Sequence, residues 1–129
     1  MIMKSAIRIC SISLLVAVIA VLVSSPESRA SDAKENFAWY CVQCHGVNGG
    51  GDGINSVDEL PVGPMNLTKS KEMNKFSGEM IIGTLTHGGP KNTLDSLMPP
   101  WGNTFTSAEI KALMLYVRSL CKDADCRQD

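Results

Sequence analysis

The chain has 129 residues with 12 basic and 13 acidic side chains, so its formal net charge at neutral pH is −1. A balance this close to zero gives no reason to expect nucleic acid or an anionic membrane surface as a partner. The length is enough for one domain, and a domain of this size has only a small core.

The first 30 residues have the features of an export signal. A short positive region that holds Lys4 and Arg8 precedes an almost wholly apolar run at 9–23. Small residues then stand three positions and one position before a predicted cleavage site after Ala30. The apolar run is shorter than the roughly 20 residues that a membrane span prefers, and an uncleaved anchor is the alternative. We therefore expect a secretory signal at 1–30 and export to the periplasm or an equivalent extracytoplasmic compartment.

The remaining chain, 31–129, is expected to form one domain that has no membrane contact once the signal is cleaved. Cleavage removes three basic residues and one acidic residue, which leaves a net charge of −3. The first predicted helix covers about 32–44, because a Ser-Asp pair can cap its start and Phe37, Tyr40 and Cys41 recur at helical spacing.

The most specific motif is the run Cys-Val-Gln-Cys-His that begins at Cys41. This C-x-x-C-H pattern is typical of covalent attachment of a c-type haem. Cys41 and Cys44 can each reach a vinyl group of one porphyrin, and His45 can place an imidazole nitrogen on the iron. A thioredoxin-like pair would need a βαβ setting, and a zinc site would need a second ligand pair, for which Cys121 and Cys126 are too widely spaced. We therefore expect one haem c bound through Cys41 and Cys44.

Loops and two short helices are predicted after this motif. The glycine-rich stretch at 49–53 is interpreted as a turn that lets the backbone pass close to the haem, because the lysine and Ser/Thr of a phosphate-binding loop are absent. A short helix is expected at 69–75. Another is expected at 77–87, where Ser77 can cap the helix start.

The last helix is the clearest in the sequence. Thr106 and Glu109 have the spacing of a capping box, and Arg118 lies near the other end, where the helix dipole favours a cation. An apolar stripe follows the cap at helical spacing. Its members are Ile110, Leu113, Met114, Val117, Leu120 and Cys121. No alternating strand pattern is present, so the predicted fold class is all-α.

The cysteine pair Cys121 and Cys126 follows this helix. In an oxidising compartment we expect a disulfide that holds the end of the helix. An intermolecular bridge and a thiolate that reaches the iron are the alternatives.

A second iron ligand is expected opposite His45. Met98 is the preferred candidate, because Pro99 biases its backbone toward extended geometry and the Pro-Pro pair stiffens the loop that would hold it. A Met/His pair raises the haem potential. His87 is the second candidate, although a lone histidine before a Gly-Gly pair is usually a solvent-facing loop residue. Met65, Met73, Met80 and Met114 are expected to pack in the core rather than to bind iron.

Residues 33–120 together resemble the class I cytochromes c. Phe37 resembles the aromatic residue of that family's first helix, and the resemblance implies that Tyr116 on the last helix is its partner. The stretch that begins Gly63-Pro64 resembles the family's G-P-x-L run. This match implies that the Pro64 carbonyl accepts a hydrogen bond from the proximal imidazole.

The stretch from Met98 to Trp101 resembles the family's M-P-x-aromatic ligand loop, which implies that both residues bind the cofactor. The fold implied is a class I cytochrome c-like fold of about four short helices wrapped around one covalently bound haem c. Two features depart from the pattern, namely the longer glycine-rich first loop and the cysteine pair at the C-terminus.

The expected function is that of a soluble, exported monohaem cytochrome that carries single electrons between redox protein partners. No Ser/His/Asp set and no pair of acid/base carboxylates is evident, so we do not expect an enzyme. Two alternatives stay open. One is a cytochrome that binds NO or CO at a displaceable distal site, and the other is a haem subunit of a larger oxidoreductase, as a homo- or hetero-oligomer.

Overall fold

The computed structural model describes residues 26–56, 63–89 and 97–127. Within these ranges the regular structure is helical, without strands, which confirms the all-α prediction. The helices are α1 Pro26–Tyr40, α2 Val42–His45, α3 Ser70–Met73, α4 Gly78–His87 and α5 Ser107–Ser119. No helix in the described part of the chain is long and apolar enough to cross a membrane.

Helix α1 begins earlier than the sequence predicts, at Pro26 rather than at about residue 32. Proline is well suited to the first turn of a helix, because the N–H group that it lacks would have no intrahelical partner there. The predicted cleavage site after Ala30 therefore falls inside α1, whereas most of the predicted signal segment lies outside the described residues. Helix α1 ends at Tyr40, so the predicted single helix is divided at Cys41 into α1 and the one-turn α2.

The core forms where α1 and α4 pack against α5. Phe37 and Leu113, which are 2% and 1% exposed, are its centre. The rings of Phe37 and Tyr116 lie 5.3 Å apart, centre to centre, at an interplanar angle of 56°. This tilted contact is the aromatic pair that the sequence resemblance implied.

Both predicted helix caps are present. In α5 the Thr106 backbone N–H donates to the Glu109 carboxylate at 2.7 Å, and the Glu109 N–H donates to Thr106 Oγ1 at 3.3 Å. In α4 the Ser77 hydroxyl accepts from the Met80 N–H at 3.2 Å. Each contact satisfies a donor that the helix itself cannot pair.

A C-terminal strap, defined as residues 121–127, joins the end of α5 to α3. Its two ends are linked by a disulfide between Cys121 and Cys126. Within it, Asp123 accepts hydrogen bonds from the backbone N–H and the hydroxyl of Ser70, at 2.9 and 3.2 Å. The residue directly before α3, Lys69, makes no side-chain cap contact. A carboxylate from the other end of the chain therefore takes over part of the capping of α3.

Arg118 differs from its sequence interpretation. It was expected to be a cation favoured by the helix dipole, but it is only 2% exposed. Its guanidinium donates to the Met73 carbonyl at 2.9 Å and also to the Phe76 carbonyl. The side chain thus ties the end of α3 and the turn after it to α5.

Candidate functional site

A cavity of about 630 Å³ lies between α1, α2, α4 and α5. This volume is within the range of roughly 300–1,000 Å³ that is typical of ligand and cofactor sites. Every residue that the sequence analysis assigned to the cofactor lines it, namely Cys41, Cys44, His45, Pro64, Met98 and Trp101. No Asp, Glu, Lys or Arg is among the described residues of its wall. A second cleft between α1 and α5 has a volume of only about 90 Å³, which is below the usual range for cofactor sites.

The two cysteines of the motif are brought to the cavity by the single turn of α2. The Cys44 and His45 N–H groups both donate to the Cys41 carbonyl, at 3.1 and 2.8 Å. Residues three positions apart on such a turn lie on one side of it, so both thiols can face one ligand. Neither forms a disulfide, and both are half-buried.

The environment of Cys41 disfavours a charged side chain. Burial, with a smaller contribution from neighbouring Cys44, raises the pKa of the Cys41 thiol to about 11. A raised pKa disfavours the thiolate, which is the form that takes part in disulfide exchange. The described residues also contain no cluster of three or more His, Cys, Asp or Glu side chains that could hold a metal ion.

His45 is held by a backbone carbonyl, but not by the one that was expected. Its Nδ1 lies 3.2 Å from the carbonyl oxygen of Met65, where the resemblance had implied Pro64. The Pro64 carbonyl oxygen instead lies against Gly51, so closely that a Cβ at Gly51 would overlap it. The Pro64 carbonyl is thus directed at the neighbouring loop, and the next carbonyl along the chain faces the imidazole.

This contact leaves the second ring nitrogen of His45 available to a ligand. When Nδ1 carries the proton and donates to Met65, the lone pair of Nε2 is available to a metal. Burial lowers the pKa of His45, while the hydrogen bond to Met65 opposes that shift. A lowered pKa favours the neutral imidazole, which is the form that a ligand must have.

The glycine-rich loop packs directly on α2. The Gly51 N–H donates to the His45 carbonyl at 2.8 Å, and the Gly53 N–H donates to the Cys44 carbonyl at 3.1 Å. A Cβ at Gly53 would overlap the carbonyls of Gln43 and Val42. Glycine is therefore needed here for close approach of the loop backbone to α2. The predicted close approach of this loop to the haem stays a prediction.

Met98 and Trp101 reach the cavity from the loop before α5. Trp101 belongs to an aromatic group with Tyr40 and Phe105, whose rings lie 5.4 and 5.9 Å from its own. His87, the second candidate for the distal ligand, is exposed and does not line the cavity. The structure therefore brings Met98, and not His87, to the same cavity as His45.

The residues present fit a haem. The cavity wall carries two thiols at the spacing of a thioether pair, one half-buried imidazole, three methionine thioethers (Met65, Met73 and Met98) and an otherwise largely apolar surface. An all-α domain with this constellation defines a class I c-type cytochrome domain.

Comparison with known proteins gives the family. The chain belongs to the family described as cytochrome C oxidase, cbb3-type, subunit III, whose family model matches residues 28–117. It is 35% identical over 91 residues to the cbb3-type cytochrome c oxidase subunit FixP of Azorhizobium caulinodans. That match covers 70% of this chain but only 27% of FixP, so the chain spans about a quarter of the length of this relative. Family membership implies one haem c, covalently bound through Cys41 and Cys44.

Two solved structures are similar. KustC0563, a c-type cytochrome, matches with a TM-score of 0.55 and 27% identity over 70% of this chain and 98% of its own. The Kuenenia stuttgartiensis reducing HAO-like protein complex Kustc0457/Kustc0458 matches with a TM-score of 0.61 and 24% identity. The latter match covers 74% of this chain and 45% of that one, and it supports the fold alone.

Proposed function

We propose that this chain is an exported monohaem cytochrome that carries single electrons between redox proteins, with His45 and Met98 as the axial ligands of its iron. The observation that carries the proposal is that both side chains line one cavity whose described wall holds no Asp, Glu, Lys or Arg. When bound, haem c supplies reversible one-electron chemistry between ferric and ferrous iron. The chain's own residues hold this group and exclude water from it.

Each part of the wall has a role in this proposal. His45 donates to Met65 through Nδ1, which sets the orientation of the imidazole that faces the iron. Met98 supplies a soft, neutral sulfur, and a Met/His pair raises the haem potential. Buried apolar residues such as Met73 and Leu85 keep the surroundings at low polarity, so a charge change at the iron is felt strongly.

The cavity wall favours electron transfer over acid/base catalysis. General acid/base catalysis requires a titratable group that is positioned against a substrate, and the titratable groups of the described wall are the histidine and cysteines of the haem motif and Tyr40. Tyr40 and Leu97 line the cavity and are 45% and 62% exposed. An apolar rim of this kind favours direct contact between the haem edge and a partner protein.

The axial assignment is tested by spectroscopy of the haem-loaded protein. A weak ferric band at the red end of the visible spectrum reports a Met–iron bond. It should be present in the wild-type protein and absent from Met98→Ala, which should also bind CO when reduced. If the band is unchanged in Met98→Ala, the distal ligand is a different residue. The mass of the exported protein tests the rest, because cleavage after Ala30 and one added haem are both expected.

A second candidate function is that of a haem subunit within a larger oxidoreductase. The name of the family and that of FixP both denote a subunit of an oxidase, and FixP is nearly four times longer than the matched region. Light scattering on the protein purified from its own cells would separate the two candidates. A mass equal to one mature chain with one haem supports the free carrier, whereas a stable larger assembly supports the subunit.

A further inference from the structure

The turn that ends α4 contains a backbone conformation that only glycine adopts readily. Gly88 has φ 82° and ψ −179°. A positive φ combined with an extended ψ is essentially restricted to glycine. The Gly88 N–H donates to the Thr84 carbonyl at 2.8 Å, so α4 ends in a closed turn and the chain changes direction at this residue.

The Met98 loop, defined as residues 97–102, is attached to this end of α4 by backbone hydrogen bonds on both sides of its two prolines. Before the prolines, the Met98 carbonyl accepts from the Gly89 N–H at 2.9 Å. After them, the Trp101 N–H donates to the Leu85 carbonyl at 2.9 Å. The Gly102 N–H donates to the Thr86 carbonyl at 3.1 Å. The last carbonyls of α4, which a helix cannot pair internally, are thus used to fix the backbone that carries Met98.

There is no room for a side chain at this contact. A Cβ at Gly88 would lie 2.8 Å from the Met98 carbonyl oxygen and 3.0 Å from the Pro100 nitrogen. Both are backbone atoms, and the prolines that flank them restrict how the loop can adjust. A larger residue at Gly88 would therefore have to displace the Met98 backbone from α4.

We propose that Gly88 is a positioning residue that keeps the Met98 sulfur at the iron and so keeps the distal side closed to small gases. This inference rests on the proposed function, in which Met98 is the distal ligand. A loop that is already ordered binds its ligand at little entropic cost. Displacing the loop removes that advantage and raises the population in which Met98 is dissociated and the iron is open.

The test compares four haem-loaded proteins, namely the wild type, Met98→Ala, Gly88→Ala and Gly83→Ala. Gly83 lies on the same helix, and a Cβ at this position meets nothing within 4 Å, so it is the matched control. We expect Gly88→Ala to lose most of the ferric Met–iron band. We also expect its ferrous form to bind CO at least about tenfold faster than the wild type. An alanine at this position strains the backbone, and relief of that strain when Met98 dissociates would raise the population of the open state by at least about this factor. Gly83→Ala should behave as the wild type in both measurements.

The outcomes separate this inference from the function on which it rests. If Met98→Ala abolishes the band but Gly88→Ala keeps the band and the CO rate of Gly83→Ala, the role of Gly88 is refuted. If the wild type lacks the band, or Met98→Ala retains it, the axial assignment itself fails. Far-UV circular dichroism checks that Gly88→Ala is folded. Should it not accumulate, Gly102→Ala serves instead, because its Cβ would lie 2.8 Å from the Thr86 carbonyl oxygen on the other side of the prolines. An unchanged band and CO rate in Gly102→Ala would then overturn the inference.

Discussion

Truncation of Phe37 should be among the most damaging core substitutions in this protein. The side chain is 2% exposed, contacts the ring of Tyr116 and also lines the haem cavity. Replacing a buried phenylalanine with alanine costs about 3–5 kcal/mol, from lost apolar burial and from the space left behind. Of this loss, about 0.5–1.5 kcal/mol should belong to the pair of rings. Because small domains are stable by only about 5–15 kcal/mol, Phe37→Ala should remove a large part of the total.

The assay is urea denaturation of the haem-loaded protein, followed by circular dichroism. Trp39→Ala is the matched control, because Trp39 lies on the same helix but is 71% exposed, and its truncation should change the free energy of unfolding by no more than about 0.5 kcal/mol. A double-mutant cycle of Phe37→Leu with Tyr116→Leu measures the ring contact separately. The reasoning is refuted if Phe37→Ala costs no more than Trp39→Ala, or if the two leucine substitutions are strictly additive.

The C-terminal strap yields two further predictions. Cys126→Ser opens the disulfide to Cys121, and the short closed loop implies a loss of about 2 kcal/mol in the free energy of unfolding. Urea denaturation under non-reducing conditions measures this loss, and an unchanged midpoint would show that the bond adds no stability. The pKa of Asp123 is held below its usual value, chiefly by the Ser70 N–H. The ionised Asp123 carboxylate therefore stabilises the fold fully above the ordinary carboxyl pKa, and this stabilisation is lost as the pH falls through the lowered pKa of the folded state. Asp123→Asn should flatten this acidic part of the stability curve, and a curve identical to that of the wild type would contradict the assignment.

Local sequence patterns predicted much of this fold correctly. The caps at Ser77 and Thr106, and the apolar stripe of α5, each depend on residues within a few positions of one another, and the structure contains them all. The fold class followed from the same patterns. The predicted start of α1 was wrong for two reasons. A proline is compatible with the first turn of a helix, and the Ser-Asp pair that suggested a later start is also compatible with a helix interior.

The candidate site was also predicted in part from local sequence and in part was visible only in the structure. Cys41 and Cys44 specify a covalently bound haem because their spacing suits attachment to one porphyrin, so the sequence by itself determined the cofactor. His45 directly after them is the predicted proximal ligand. Which carbonyl orients His45 was decided only in three dimensions, since Met65 lies 20 positions away and its neighbour Pro64 is directed at Gly51.

The attachment of α3 was likewise beyond local patterns. Arg118 meets Met73 across 45 positions, and Asp123 meets Ser70 across 53. Short-range spacing encodes which residues share one helix turn, because backbone geometry alone determines that. It contains no information on which distant carbonyl will be left unpaired in the packed core. Only the tertiary structure decides that, because buried polar groups must find partners wherever the packing places them.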